Sequence, residues 1–171
     1  MTQPGAPIGV DPLEPQGRGV VAALDPGRSK CGLIRTDPQR RRIEEALVLP
    51  PGPCRERLLT WHRDLKLAVV VLGDGTSSRS WLERLAGELP LLLVDEHGST
   101  LAARRRYWQL EPAGGWRCLL PEGLRQPPRD WDDVVAQLLL ERWLGQPLER
   151  AAGASSGGRP GAQNAARTVN M

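Results

Sequence analysis

The feature that most limits what this chain can fold into is the run Val20-Val21-Ala22-Ala23-Leu24, which Asp25 and the turn formers Pro26-Gly27 close. Five consecutive apolar residues bounded in this way read as a short strand that is buried on both faces. Such a strand needs cover on both sides, which calls for a sheet with helices packed on it. Cys31-Gly32-Leu33-Ile34-Arg35 can run back as an antiparallel partner. Asp25 then sits at a strand's carboxyl end, beside a loop whose Gly27 and Gly32 let a ligand approach the backbone. The bland alternative is a plain hairpin with a surface Asp in its turn.

The remaining pattern extends this hairpin. Arg42 to Leu49 is a third strand, with Arg40-Arg41-Arg42 as a solvated turn at its start and Pro50-Pro51-Gly52-Pro53 at its end. Apolar residues at Cys54, Leu58, Trp61 and Leu65 form a helical stripe that follows Pro53. Lys66 to Leu72 is a second buried strand; a Gly73-Asp74-Gly75 turn and a Ser cap lead from it into a helix ending near Leu89. Leu91 to Val94 repeats the design and finishes on Asp95-Glu96, with a helix from Thr100 to about Leu110. In that helix Arg104-Arg105-Arg106 spans about 200° of arc, so the three cannot share one side of the helix, and they are expected to be solvated. Glu111 to Asp130 is a long Gly- and Pro-rich loop, in which Trp116, Leu119 and Leu120 are expected to pin the segment to the body.

A last helix, Trp131 to Leu144, carries two adjacent acids. At about 100° per residue Asp132 lines up with Val135, Ala136, Leu139 and Trp143 and is expected to face the sheet, while Asp133 shares a side with Gln137 and Glu141 and is expected to face solvent. These elements give an α/β fold: a mixed five-stranded sheet, an antiparallel meander plus two parallel strands, with flanking helices. Residues 1–17 are expected to form a flexible leader, 18–146 the folded domain and 147–171 a disordered tail.

The chain has 171 residues and a formal charge of +3, mild enough to permit nucleic-acid binding without requiring it. Three cysteines spread over the sequence imply neither a disulfide framework nor a zinc site. No apolar run approaches the roughly 18 residues of a membrane span, and no signal-like leader is present, so a cytoplasmic protein is expected. In a sheet of this kind ligands gather at the carboxyl ends of the strands, where Asp25, Asp74, Asp95 and Glu96 fall. Ionised acids gathered there repel one another unless a hard cation such as Mg²⁺ or Mn²⁺ joins them, and two such ions suit phosphodiester hydrolysis.

Asp25-Pro26-Gly27-Arg28-Ser29-Lys30-Cys31-Gly32 resembles the D-x-G-x-x-[RK]-x-G opening of the YqgF family, Holliday-junction-resolvase-like nucleases of the RNase H superfamily. Leu93-Val94-Asp95-Glu96 with Ser99-Thr100 resembles that family's V-D-E-x-x-[ST]-T segment, and Asp132 to Leu140 resembles its D-A-x-A-A-x-L-I-L helix. The three segments fall in the family's order. The resemblance implies an RNase H-like fold, metal-binding catalytic acids at Asp25, Glu96 and Asp132, and Mg²⁺ or Mn²⁺ as cofactor. It implies nucleic acid as partner, pre-16S rRNA in 5′ maturation before branched DNA, with a monomer or homodimer as the assembly. Substrate contacts would come from Gly27, Arg28, Lys30, Thr100 and Arg104. An RNase H-like domain that binds RNA without cutting it would show the same fold and charge.

Overall fold

A computed structural model describes residues 14–95, 99–112, 114, 115, 119 and 130–154, and for 99–104 it describes the course of the helix alone. The strands are β1 (Val21–Asp25), β2 (Cys31–Thr36), β3 (Arg42–Leu49), β4 (Val69–Gly73), β5 (Leu91–Val94) and β6 (Glu149–Arg150). The helices are α1 (Pro51–Leu65), α2 (Ser78–Leu85), α3 (Ser99–Leu110) and α4 (Asp132–Leu144). One sheet runs in the order β5-β4-β1-β2-β3-β6. The β1-β2-β3 meander is antiparallel, and β4 and β5 add to its other side in parallel.

β1 sits centrally in this sheet, which is why it is apolar on both faces. Ala22 and Leu24 project into one core with Cys54, Leu58 and Trp61 of α1 and Trp81 and Leu85 of α2. Val21 and Ala23 project into a second core with Ala136, Leu139, Leu140 and Leu144 of α4. Each fully buried Leu or Val contributes about 1.5–3 kcal/mol relative to an exposed one, so the two cores hold the helices against opposite faces of the sheet. α1 starts at Pro51, with a proline in its first turn, and ends where Lys66 turns left-handed (φ 54°) and donates its N–H to His62 O. α2 stops at Leu85, short of the expected Leu89, because Ala86 leaves helical backbone at ψ 127°.

The expected five-stranded sheet gains a sixth strand. β6 pairs in parallel with the start of β3, Arg42 opposite Glu149 and Ile43 opposite Arg150. Ala46 N–H then donates to Ala154 O at 2.7 Å, and Ala154 is buried. Residues 148–154 thus belong to the folded body rather than to a tail. At the other end of the chain, buried Arg40 reaches back to the start of the folded domain and to Glu14 in the segment expected as leader. Its guanidinium donates to the carbonyls of Glu14 (2.5 Å), Arg18 (3.1 Å) and Gly19 (3.1 Å) and lies over the Trp143 ring. Arg40 is therefore not part of a solvated turn; burial pulls its pKa below the usual value. Leu119, expected to pin the 111–130 loop, is 84% exposed. Trp116 and Leu120 lie outside the described residues.

Candidate functional site

Asp25 ends β1, half-buried, opposite Gly32 in the antiparallel ladder. The turn between them depends on Gly27: a Cβ there would stand 1.8 Å from the Lys30 carbonyl oxygen, so no other residue fits without moving the loop. The Cys31 thiol closes the turn by donating to Gly27 O at 3.5 Å. Arg28, Ser29 and Lys30 stand exposed on this loop. Lys30 Nζ is engaged by Asp130 Oδ2 at 2.6 Å, an ion pair that raises the ammonium pKa and ties the loop to the approach of α4. Both side chains are half exposed (51% and 52%), so the pair positions more than it stabilises. Its partners lie 100 positions apart, and no local pattern signals it.

Gly32 decides how near α4 can come. A Cβ on Gly32 would lie 1.8 Å from the Asp132 carbonyl oxygen and 2.7 Å from the Asp133 amide nitrogen. The first turn of α4 therefore rests on bare backbone of β2, and Asp25 and Asp132 flank the same glycine. Both carboxylates disfavour ionisation of the intervening Cys31 thiol, and the hydrogen bond from neighbouring Cys54 is the larger effect, lowering the Cys31 pKa and raising that of Cys54. Asp132 is half-buried. Burial foremost, with Asp130 and Asp133 nearby, raises its carboxyl above the usual carboxylate range.

The expectation for Asp133 is overturned. Its carboxylate is 2% exposed and accepts from Arg150 Nη1 at 2.8 Å, and Arg150 itself is 10% exposed. Arg150 Nε also donates to Gln137 Oε1 (2.8 Å), Gln137 Nε2 donates to Glu141 Oε1 (2.9 Å), and Arg106 Nη2 donates to the same Glu141 oxygen (2.8 Å). The side of α4 that carries Asp133, Gln137 and Glu141 is covered by β6 and by Arg106 of α3. Arg106 accordingly belongs to an inter-element network and not to a solvated face.

The other expected residues are placed unevenly. Asp74, exposed, follows β4 one residue past the register position level with Asp25, and its N–H donates to Val94 O at 3.1 Å. Asp95 is exposed beyond β5, and its carbonyl accepts from Arg142. Glu96 lies outside the described residues, while Thr100 and Arg104 fall in α3 with their side chains undescribed. Among the described residues no three His, Cys, Asp or Glu side chains group closely enough to hold a metal ion. Asp25 and Asp132 fit as part of such a set: oxygen donors of the kind hard cations prefer, one of them penalised by burial in a way that a cation would relieve.

The meander with two parallel strands, covered by helices on both faces, decides the architecture. The fold is RNase H-like. No family model matches the chain, and no curated protein matches it. Among solved structures it is similar to T. thermophilus RuvC in complex with Holliday junction substrate, at 16% identity and a TM-score of 0.42, over 74% of this chain and 94% of that one. At that identity and score the likeness carries no argument, and the architecture rests on the strand order alone. No helix of the described residues is long and apolar enough to cross a membrane.

Proposed function

We propose that this RNase H-like chain is a divalent-metal-dependent nuclease, acting in 5′ maturation of pre-16S rRNA, with Asp25, Glu96 and Asp132 as its metal-binding acids. The observation that carries the reading is the pairing of Asp25 and Asp132 across Gly32, where a missing side chain lets a helix N-terminus settle against the end of the central strand. Two acids on either side of one glycine, one of them with a carboxyl raised foremost by burial, would supply oxygen donors to a cation. Bound Mg²⁺ or Mn²⁺ supplies charge neutralisation at the phosphodiester and a more acidic water.

The chain's own residues then have distinct tasks. Asp25 is fixed by the β1 ladder and by the Gly27 turn, so its carboxylate is presented without further ordering. Arg28, exposed on the same loop, is placed to meet a phosphate entering the crevice. Lys30 orients the approach to α4 through Asp130 and so helps hold Asp132 in place.

The test is incubation of purified protein with a 5′-extended 16S precursor fragment, with and without Mn²⁺, beside Asp25→Asn and Asp132→Asn. Mn²⁺-dependent cleavage that falls at least about 100-fold in either variant, a loss of about 2.7 kcal/mol in transition-state stabilisation, upholds the reading. Retained RNA binding without cleavage by the wild type replaces it with a non-catalytic RNA-binding role. Cleavage of a four-way DNA junction alone moves the substrate to branched DNA.

A further inference from the structure

At the end of the sheet remote from Asp25, a cleft of about 750 Å³ opens between the β2-β3 turn and the α4-β6 connection. Its polar lining is Gln39, Arg41, Arg42, Arg106, Asp37 and Glu149. The position follows from the register of β3: Arg42 pairs with Glu149 at one end, and Leu49 pairs with Cys31 beside the Asp25 loop at the other. Seven steps along a strand at about 3.3 Å each put the cleft roughly 23 Å from that loop. Arg106, Leu148 and Glu149 also line a second cleft of about 510 Å³.

The charges here are arranged for an anion. Elsewhere Arg35, Arg55, Arg57, Arg63 and Arg150 each have a carboxylate partner, and within the cleft Arg106 has Glu141. Arg41 and Arg42 have none among the described residues, and both are exposed. Asp37 lines the same cleft, and its Oδ1 accepts the amide N–H groups of Arg41 (2.8 Å) and Arg42 (2.9 Å), which holds it in the β2-β3 turn rather than in an ion pair with either guanidinium. Arg106 spends Nη2 on Glu141 and Leu148 O, and its buried Nε has no partner among the described residues. Of the three guanidiniums, Arg106 is engaged by Glu141, while Arg41 and Arg42 face the cleft beside Asp37 and the exposed Glu149 without a salt bridge to either among the described residues. Guanidinium forks match phosphate oxygens bidentately, and a cleft of this volume admits a nucleotide-sized group.

We propose that this cleft binds a phosphate-bearing group and, resting on the nuclease reading, that it holds the backbone of the nucleic-acid substrate away from the point of cleavage. The test is fluorescence anisotropy of a labelled 30-nucleotide single-stranded RNA with the full chain in metal-free buffer, at several salt concentrations. Wild type, the double variant Arg41→Gln/Arg42→Gln and Glu149→Gln are compared. The double variant is expected to bind at least about tenfold more weakly and to lower the slope of log affinity against log salt by about 1.4, two phosphate contacts to single-stranded nucleic acid. Glu149→Gln is expected to tighten binding about twofold or more. Cleavage of a short substrate confined to the Asp25 crevice stays unchanged in the double variant.

Unchanged affinity and slope in the double variant overturn the nucleic-acid contact. Inorganic phosphate and a 5′-mononucleotide, titrated by calorimetry, separate the sources. Arginine-dependent binding of these alone, with RNA affinity untouched, makes the cleft a small-phosphate site and overturns the backbone role. If wild type binds no RNA, the nuclease reading fails by itself; the cleft then stands on arginine-dependent phosphate binding and falls without it.

Discussion

Replacing Asp133 by Asn should cost this protein a large part of its stability while leaving the chemistry of the folded fraction intact. The carboxylate is 2% exposed, its Arg150 partner 10%, and their N–O separation is 2.8 Å. Removing one partner of a pair buried to that degree leaves an uncompensated charge and costs about 3–5 kcal/mol. For a domain of this size each kcal/mol moves the melting temperature by about 2–4 °C, so a fall of roughly 6–20 °C is expected. Urea denaturation followed by circular dichroism reads the free energy, and a thermal scan reads the shift. The double variant Asp133→Leu/Arg150→Met should be less destabilised than Asp133→Asn, because an apolar replacement removes both desolvation costs together. A midpoint for Asp133→Asn within about 0.5 kcal/mol of wild type would mean that water screens the pair, and the covering of α4 by β6 would have to be abandoned.

Gly32→Ala should destabilise the fold by about 1–3 kcal/mol and reduce metal-dependent cleavage, since the new methyl would stand 1.8 Å from the Asp132 carbonyl and α4 would have to move off β2; a melt and a cleavage rate measured together check both effects. Asp132→Asn should raise stability in metal-free buffer at pH 7. Its carboxyl is raised on folding, so the folded state holds the proton more tightly; that contribution is complete below the unfolded value of about 3.9 and is lost as pH rises through the folded pKa. The gain of the variant should therefore shrink toward zero below about pH 4, and a gain independent of pH would assign it to something other than ionisation. Calorimetric titration with Mn²⁺ should give a heat in wild type that is much reduced in Asp25→Asn; equal heats would place the cation elsewhere. RNA affinity should fall steeply with salt as phosphate contacts release counterions, and a salt-insensitive constant would remove nucleic acid as the partner.

Much of the fold was legible because its signals are short-ranged. The both-face burial of β1 needs only five consecutive side chains to be seen, the Gly27 turn needs three, and the stripe Cys54-Leu58-Trp61 needs one helix. From these the meander, the parallel crossovers and the place of Asp25 at a strand end follow without tertiary information. What the local pattern did not hold are partners brought from far along the chain. β6 has two residues and no periodicity; it exists because β3 offers a free edge and Ala46 can bond Ala154 O. Arg40 is buried only because the carbonyls of residues 14–19 converge on it, and Lys30 is engaged only because Asp130 arrives from 100 positions away. The adjacent acids of α4 show the division most plainly. A helical wheel states correctly that Asp132 and Asp133 point about 100° apart, but it assigns solvent to any polar side. In the folded protein that side is roofed by Arg150, contributed 17 positions later, so Asp133 became the buried acid; the bare backbone at Gly32 left Asp132 half-covered beside Asp25. A sequence fixes the direction of a side chain from its own helix axis, whereas its surroundings depend on which distant segment finds the better contact there.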